Sequence, residues 1–202
     1  LGIDPVEFRL KNALVEGSRT GTNQLLDHSV GIKELIATIA EVGRWKERRQ
    51  TILESPSNGI KKGIGIACSW HGNGTTGTKQ DWAGASVILN PDGSITYRTG
   101  IIEIGQGTHT AHAMIIAETL GVPLEWVKVE IVDTSAVPDS GETHAQRGVI
   151  IGGTAAYEAA IKLKKRLMGL AADLLGCEPE SIEFENGYAY VKDNPNKRVS
   201  IK

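Results

Sequence analysis

Cysteine is scarce. Cys68 and Cys177 are the only two in 202 residues, and they stand far apart with no metal-ligand spacing around them. Both read as small apolar side chains, and their scarcity fits a reducing compartment. Long apolar runs are missing as well. None approaches the ~18–20 residues of a membrane span, so no membrane partner is expected. Excess charge is missing, because the net charge is −2, and this gives no electrostatic footprint for nucleic acid. There is no Gly-x-Ser-x-Gly elbow for a serine nucleophile. His109 and His112 are three residues apart with no carboxylate in a metalloprotease frame, and His28 and His71 are remote, so no metal held by protein ligands is expected. The first residues include Asp4, Glu7, Arg9 and Lys11, which reads against a signal peptide and makes the cytoplasm the expected location. The chain starts at Leu1 rather than Met, and Val199-Ser-Ile-Lys202 resembles the opening of a strand. A piece of a longer protein is therefore expected.

Two textures follow one another along the chain. Residues 1–58 read as a helical segment and linker. Asp4 and Pro5 mark a helix start, followed by Val6, Leu10 and Leu14 at four-residue intervals. A second helix is expected from Ser29 to about Trp45 with Ile32, Leu35, Ile36 and Ile39 on one face, ending in a solvated Lys46-Glu-Arg-Arg-Gln tail. Ser55-Pro-Ser-Asn-Gly59 is linker-like punctuation.

Residues 59–202 read as an α+β domain of short antiparallel strands and hairpins packed against two long helices. Strands are expected at 63–69, at 83–90, over Ser94 to Thr99, over Val127 to Asp133, and in a last hairpin around Asn186-Gly187. Trp70 to Asp81 reads as a mobile loop. The long helices are expected over about Thr108 to Leu120, stopped by Gly121 and Pro123, and over about Ile151 to Leu175, stopped by Gly176.

The chain turns on one stretch, Arg98 to Thr110, where a strand stops at Gly105-Gln106-Gly107 and a helix begins at Thr108. Glycines let backbone approach a ligand, and a helix start aims free N–H groups and a positive dipole end at the turn. That reads as a seat for an anionic or phosphate-bearing group, with Gln106 adding an amide donor and acceptor. The alternative is a corner that only permits tight packing. A polar loop from Asp133 to Gly148 lies between a strand end and a helix start, a favoured ligand position. Within it Arg147 reads either as a bidentate phosphate fork or as a surface salt bridge. Asp133 reads equally as a cap or a turn former.

Seven segments in order carry a resemblance. They are residues 2–12 (GIDPVEFRLKN), 63–67 (GIGIA), 92–95 (DGSI), 103–108 (EIGQGT), 117–123 (AETLGVP), 133–138 (DTSAVP) and 152–156 (GGTAA). Together they resemble the molybdopterin-binding large subunit of the xanthine dehydrogenase/aldehyde oxidase family of molybdenum hydroxylases, from Leu1 to about Leu175. Carbon monoxide dehydrogenases and 4-hydroxybenzoyl-CoA reductases belong to the same family.

The resemblance implies hydroxylation of an aldehyde, purine or other N-heterocycle with water as the oxygen source. A molybdenum centre accepts two electrons, and iron–sulfur clusters and FAD on other domains or subunits pass them on. Molybdenum is held by the dithiolene of molybdopterin, often as a dinucleotide, and not by side chains. Gly105, Gln106, Gly107 and Thr108 then look like cofactor contacts. Thr143, His144, Ala145, Gln146, Arg147 and Gly148 form a second cofactor loop, with Gln146 where the family commonly has a small serine.

The family's glutamate base sits in a Gly-x-Gly-Glu motif that does not occur here, and an Arg-Gly-x-Gly type loop would end just before Leu1. Glu103 falls where the family has a structural glutamate. No catalytic residue is therefore named, and the chain alone is expected to be inactive. The implied partners are the rest of the large subunit, the iron–sulfur and flavin subunits or domains, and a small-molecule substrate. The other reading is a non-catalytic module that binds a nucleotide-like ligand or serves assembly.

Overall fold

The structure, a computed structural model, describes residues 1–55, 59–74, 81–130 and 133–202. The chain divides into two units, Leu1–Trp70 and His71–Lys202. Residues 56–58 of the expected linker, 75–80 of the expected mobile loop and 131–132 of the strand expected to reach Asp133 lie outside the described residues.

In the first unit, helix α1 (Pro5–Asn12) starts as its sequence dictates. Asp4 caps it, with Oδ1 accepting from the Val6 amide at 2.8 Å. The same carboxylate takes the Trp45 indole N–H through Oδ2 at 3.0 Å, so one side chain both begins α1 and fixes a distant aromatic. The second helix is two helices, α2 (Ile32–Val42) and α3 (Trp45–Glu54), and the charged tail expected after Trp45 is helical. The break falls at Arg44, whose φ of 49° no helix continues through. Of the expected apolar face only Ile36 is buried, while Leu35 and Ile39 are exposed.

Val6, Ile36 and Trp45 form the core, joined by Ile64 and Ile66. That packing draws residues just past the expected boundary at 58 into the first unit. Residues 63–69 form no strand, because their isoleucines serve this core and no neighbouring ladder.

The second unit is built around a long helix. Strands β1 (Ala85–Leu89) and β2 (Ile95–Thr99) form the expected antiparallel hairpin, in register from Ala85 opposite Thr99 to Leu89 opposite Ile95. Asp92 Oδ1 accepts from the Ser94 amide at 2.9 Å and shapes the turn. Helix α4 (Thr108–Leu120) then crosses over and returns the chain as β3 (Val127–Val129), which pairs with β2 in parallel. The all-antiparallel expectation fails at this pair because an intervening helix reverses the direction of return.

Helix α5 (Arg147–Leu175) begins four residues earlier than expected. Its first half packs Ala156 and Ala160 into a core with Ile95, Tyr97, Ile116 and Leu120. Its second half packs Ala171, Ala172 and Leu175 against a second sheet. That sheet is the three-stranded meander β4 (Ile182–Glu185), β5 (Tyr188–Val191) and β6 (Asn194–Ser200), one strand more than the expected hairpin.

Small residues on α5 let α4 lie close. A Cβ added at Gly152 would stand 2.8 Å from Ile101 Cγ1 and 3.0 Å from His112 Cε1, so no larger residue fits without displacement. No helix among the described residues is long and apolar enough to cross a membrane.

Candidate functional site

The glycine corner is exposed and folds around one carboxylate. Glu103 Oε1 accepts from the amides of Gly105 at 2.8 Å and Gly107 at 2.9 Å, and Oε2 from His109 at 3.1 Å. The Gly107 amide above all, with those of His109 and Gly105, holds the Glu103 carboxyl below its ordinary range. Gly107 caps α4 with φ 78°, a conformation that suits glycine.

The free amides expected at Gly105 and Gly107 are thus already taken. A protein carboxylate fills the anion position at the start of α4, and this corrects the sequence reading of that turn. Gln106 folds back on the same corner, its Oε1 accepting from the Ile104 amide at 2.7 Å and its Nε2 donating to the Ile102 carbonyl at 2.9 Å.

The polar loop is rooted differently. Arg147 is buried at 2% exposure and ion-pairs with Asp81. Its guanidinium also donates to the carbonyls of Trp82, Ser140 and Glu142. These bonds occupy the whole donor fork. Neither reading made from sequence holds: no surface salt bridge forms and no donor remains for a phosphate. Ser140, also buried, takes the Gly100 amide at 3.1 Å and donates to the Gly84 carbonyl at 2.9 Å, pinning the loop to the hairpin.

The two stretches meet. Thr143 Oγ1 accepts from the Ile102 amide at 2.9 Å. A Cβ on Gly148 would lie 3.1 Å from Thr108 Oγ1, so the first turns of α4 and α5 nearly touch. Between them opens a cavity of about 520 Å³ lined by Gln106, Thr108, Thr143, His144, Ala145, Gln146 and Gly148, with Ile104, Val149 and Ile150 supplying apolar wall. Seven of the ten sequence candidates line it. Gly105 and Gly107 shape the corner behind Gln106, and Arg147 lies beneath the loop.

Helix α5 starts at this cavity without a side-chain cap, and the amides of Gly148 and Val149 donate to no acceptor among the described residues. The start of α4 likewise leaves the Thr108 and Thr110 amides without an acceptor among the described residues, but there the Glu103 carboxylate already holds Gly107 and His109, whereas among the described residues no protein anion takes the first amides of α5.

The histidines are structural where their partners are seen. His109 Nε2 donates to the Ile101 carbonyl at 2.8 Å. His112, fully buried, donates from Nε2 to the Gly148 carbonyl at 2.8 Å and accepts at Nδ1 from the Tyr97 hydroxyl at 2.8 Å. The carbonyl can only accept, which fixes the tautomer. Burial pushes the His112 imidazole down and the Tyr97 phenol up to about 12. Among the described residues no three His, Cys, Asp or Glu side chains are placed to hold a metal ion. The sequence reading placed Glu103 as structural but not as the acceptor for the corner's amides, and it missed Ile104, Val149, Ile150 and the role of His112. A carboxylate two residues ahead of a Gly-x-Gly helix start was the available signal for Glu103.

The sequence pattern of the molybdopterin cofactor-binding domain matches residues 38–202. The chain is 31% identical over 198 residues to the xanthine dehydrogenase molybdenum-binding subunit of Escherichia coli O157:H7, which covers 98% of this chain and 26% of the relative. It is 32% identical over 186 residues to the aldehyde oxidoreductase molybdenum-binding subunit of the same organism, 92% of this chain and 24% of the relative. Quinoline 2-oxidoreductase from Pseudomonas putida 86 superposes with a TM-score of 0.71 at 25% identity, over 100% of this chain and 27% of that one. The chain spans about a quarter of the length of the curated relatives it matches. It belongs to the molybdopterin cofactor-binding domain family, among the xanthine dehydrogenase/aldehyde oxidoreductase molybdenum enzymes.

Proposed function

We propose that this member of the molybdopterin cofactor-binding family supplies two walls of the cofactor seat in an enzyme that hydroxylates an aldehyde, a purine or another N-heterocycle with water as the oxygen source. The observation that carries this is convergence. The glycine corner and the loop from Thr143 to Gly148, far apart in sequence, share one cavity at an uncapped helix start.

The residues fit an anionic pterin. The amides of Gly148 and Val149 offer donors backed by the positive end of a 29-residue helix. The Thr143 hydroxyl accepts from Ile102 and keeps its own proton to donate. Ile104, Val149 and Ile150 give apolar surface on which a flat ring packs and from which water is excluded.

Molybdopterin, when bound, supplies a redox metal on its dithiolene. This chain's share is to orient and to hold charge. Glu103, bound by three amides, holds the corner and has no proton to exchange with substrate. The base and the substrate-facing loops belong to sequence outside this chain, as do the iron–sulfur clusters and the FAD that carry electrons away. By itself the chain is inactive. We assign the enzyme to the cytoplasm, consistent with its sparing use of cysteine.

The test is Val149→Asp in the full-length protein. A carboxylate in the first turn of α5 favours the helix but opposes an anion in the cavity. Molybdenum and pterin contents fall by roughly tenfold or more, because a like charge about 4 Å away at an effective dielectric constant of about 20 opposes binding by about 4 kcal/mol. The thermal midpoint does not fall. Undiminished metal and pterin would sink the proposal and favour an assembly module.

A further inference from the structure

Gln146 occupies the N-cap position of α5 but does not cap it. Its backbone is left-handed, φ 59°, and so is that of Ala145 before it, φ 44°. Two successive non-glycine residues in this region are rare, and such strain persists only where surroundings hold it. The surroundings are a short upstream segment. With its amide nitrogen facing the available acceptors, Gln146 donates to Asn73 Oδ1 at 2.7 Å and to the Gly72 carbonyl at 3.1 Å. Beside it the Gly74 amide donates to the Ala145 carbonyl at 2.8 Å. Three hydrogen bonds thus stitch residues 72–74 to the two strained residues, and both of these line the cavity.

We infer that Gln146 is a positioning residue that fastens the Gly72–Gly74 segment behind the loop that lines the cavity, bracing that wall in its left-handed conformation. The inference rests on the proposed reading for what the braced loop encloses, but not for the contact itself. Side-chain length is the reason the residue type matters. A serine at this position carries its only polar atom one bond beyond Cβ and has no amide to share between Asn73 and Gly72, whereas glutamine carries a two-hydrogen donor two carbons further out. Turning that donor outward has a second effect. The first-turn amides of α5 are left uncapped and facing the cavity, where a serine would tend to cap them itself. One residue therefore braces a wall and keeps a helix start open for a ligand.

The experiment is hydrogen–deuterium exchange on the full-length protein, comparing wild type with Gln146→Gly and Gln146→Ser. Glycine accepts the left-handed backbone, so that variant removes the side chain without adding strain. Exchange at Gly74, whose amide donates to the Ala145 carbonyl, is expected to rise roughly tenfold in both variants, about the effect of losing one net hydrogen bond, while α4 amides and the thermal midpoint hold. Unchanged exchange at Gly74 in Gln146→Gly overturns the inference. Exchange needs no cofactor, so it decides this point even if Val149→Asp shows the cofactor reading to be wrong.

Discussion

The two walls of the cavity are made by opposite means. The glycine corner holds itself. Glu103 and Gln106 both bond to amides and carbonyls within a few residues, and all of this happens at the surface. The facing wall is held from within. Arg147 anchors it through a buried guanidinium, and α5 anchors it through glycines pressed against α4. A self-contained turn can be altered one bond at a time. A wall rooted in the core cannot be touched without disturbing what lies behind it. Such a pairing gives a site one adaptable side and one fixed side.

The comparison breaks most sharply at Arg147. Arg147→Met takes a buried guanidinium out of its ion pair with Asp81 and removes the donor from the carbonyls of Trp82, Ser140 and Glu142, and is expected to lower stability by roughly 3–5 kcal/mol, read from urea unfolding. A loss as small as that of a surface salt bridge would show that the two walls are not differently built. Gly152→Ala comes next. Its Cβ would meet Ile101 Cγ1 at 2.8 Å with no flexible chain end to yield. Overpacking of this kind costs roughly 1–3 kcal/mol, and the thermal midpoint measures it.

The corner gives the smallest effect, and one that depends on pH. The Glu103 carboxyl is held below its ordinary 4.5, so its contribution is complete above that value and is lost as pH falls through the lower folded value. Amide shifts of Gly107 and His109, followed from about pH 6 to about pH 3, should move with this titration, and in Glu103→Gln they should not. Equal movement in both proteins would remove Glu103 from its place at the centre of the turn.

Much of this was legible in the residues. The Asp4 cap, the Asp92-Gly93 hairpin and the span of α4 follow from local chemistry and were read directly. Seven of the ten candidate residues line one cavity because turn signals and polar loops mark where the chain comes to the surface between elements. What escaped has a common cause. The break at Arg44 is a left-handed residue in a sequence with good helix periodicity on both sides. The parallel pairing of β3 depends on where α4 delivers the chain, and the burial of Arg147 on partners scattered from Asp81 to Glu142. Local pattern does not encode contacts of that range. The same limit explains why the open amides at the start of α5, which no protein anion among the described residues takes, are not legible in the local pattern.

Helix α5 runs about 44 Å at the usual rise of 1.5 Å per residue. One tip forms the cavity wall, and the other is clamped at Ala171, Ala172 and Leu175 by a sheet that touches no part of the cavity. The arrangement is that of a cantilever, with β4–β6 as its footing. Any tilt introduced at that footing is magnified along the beam, so the outlying meander sets the aim of amides it never meets.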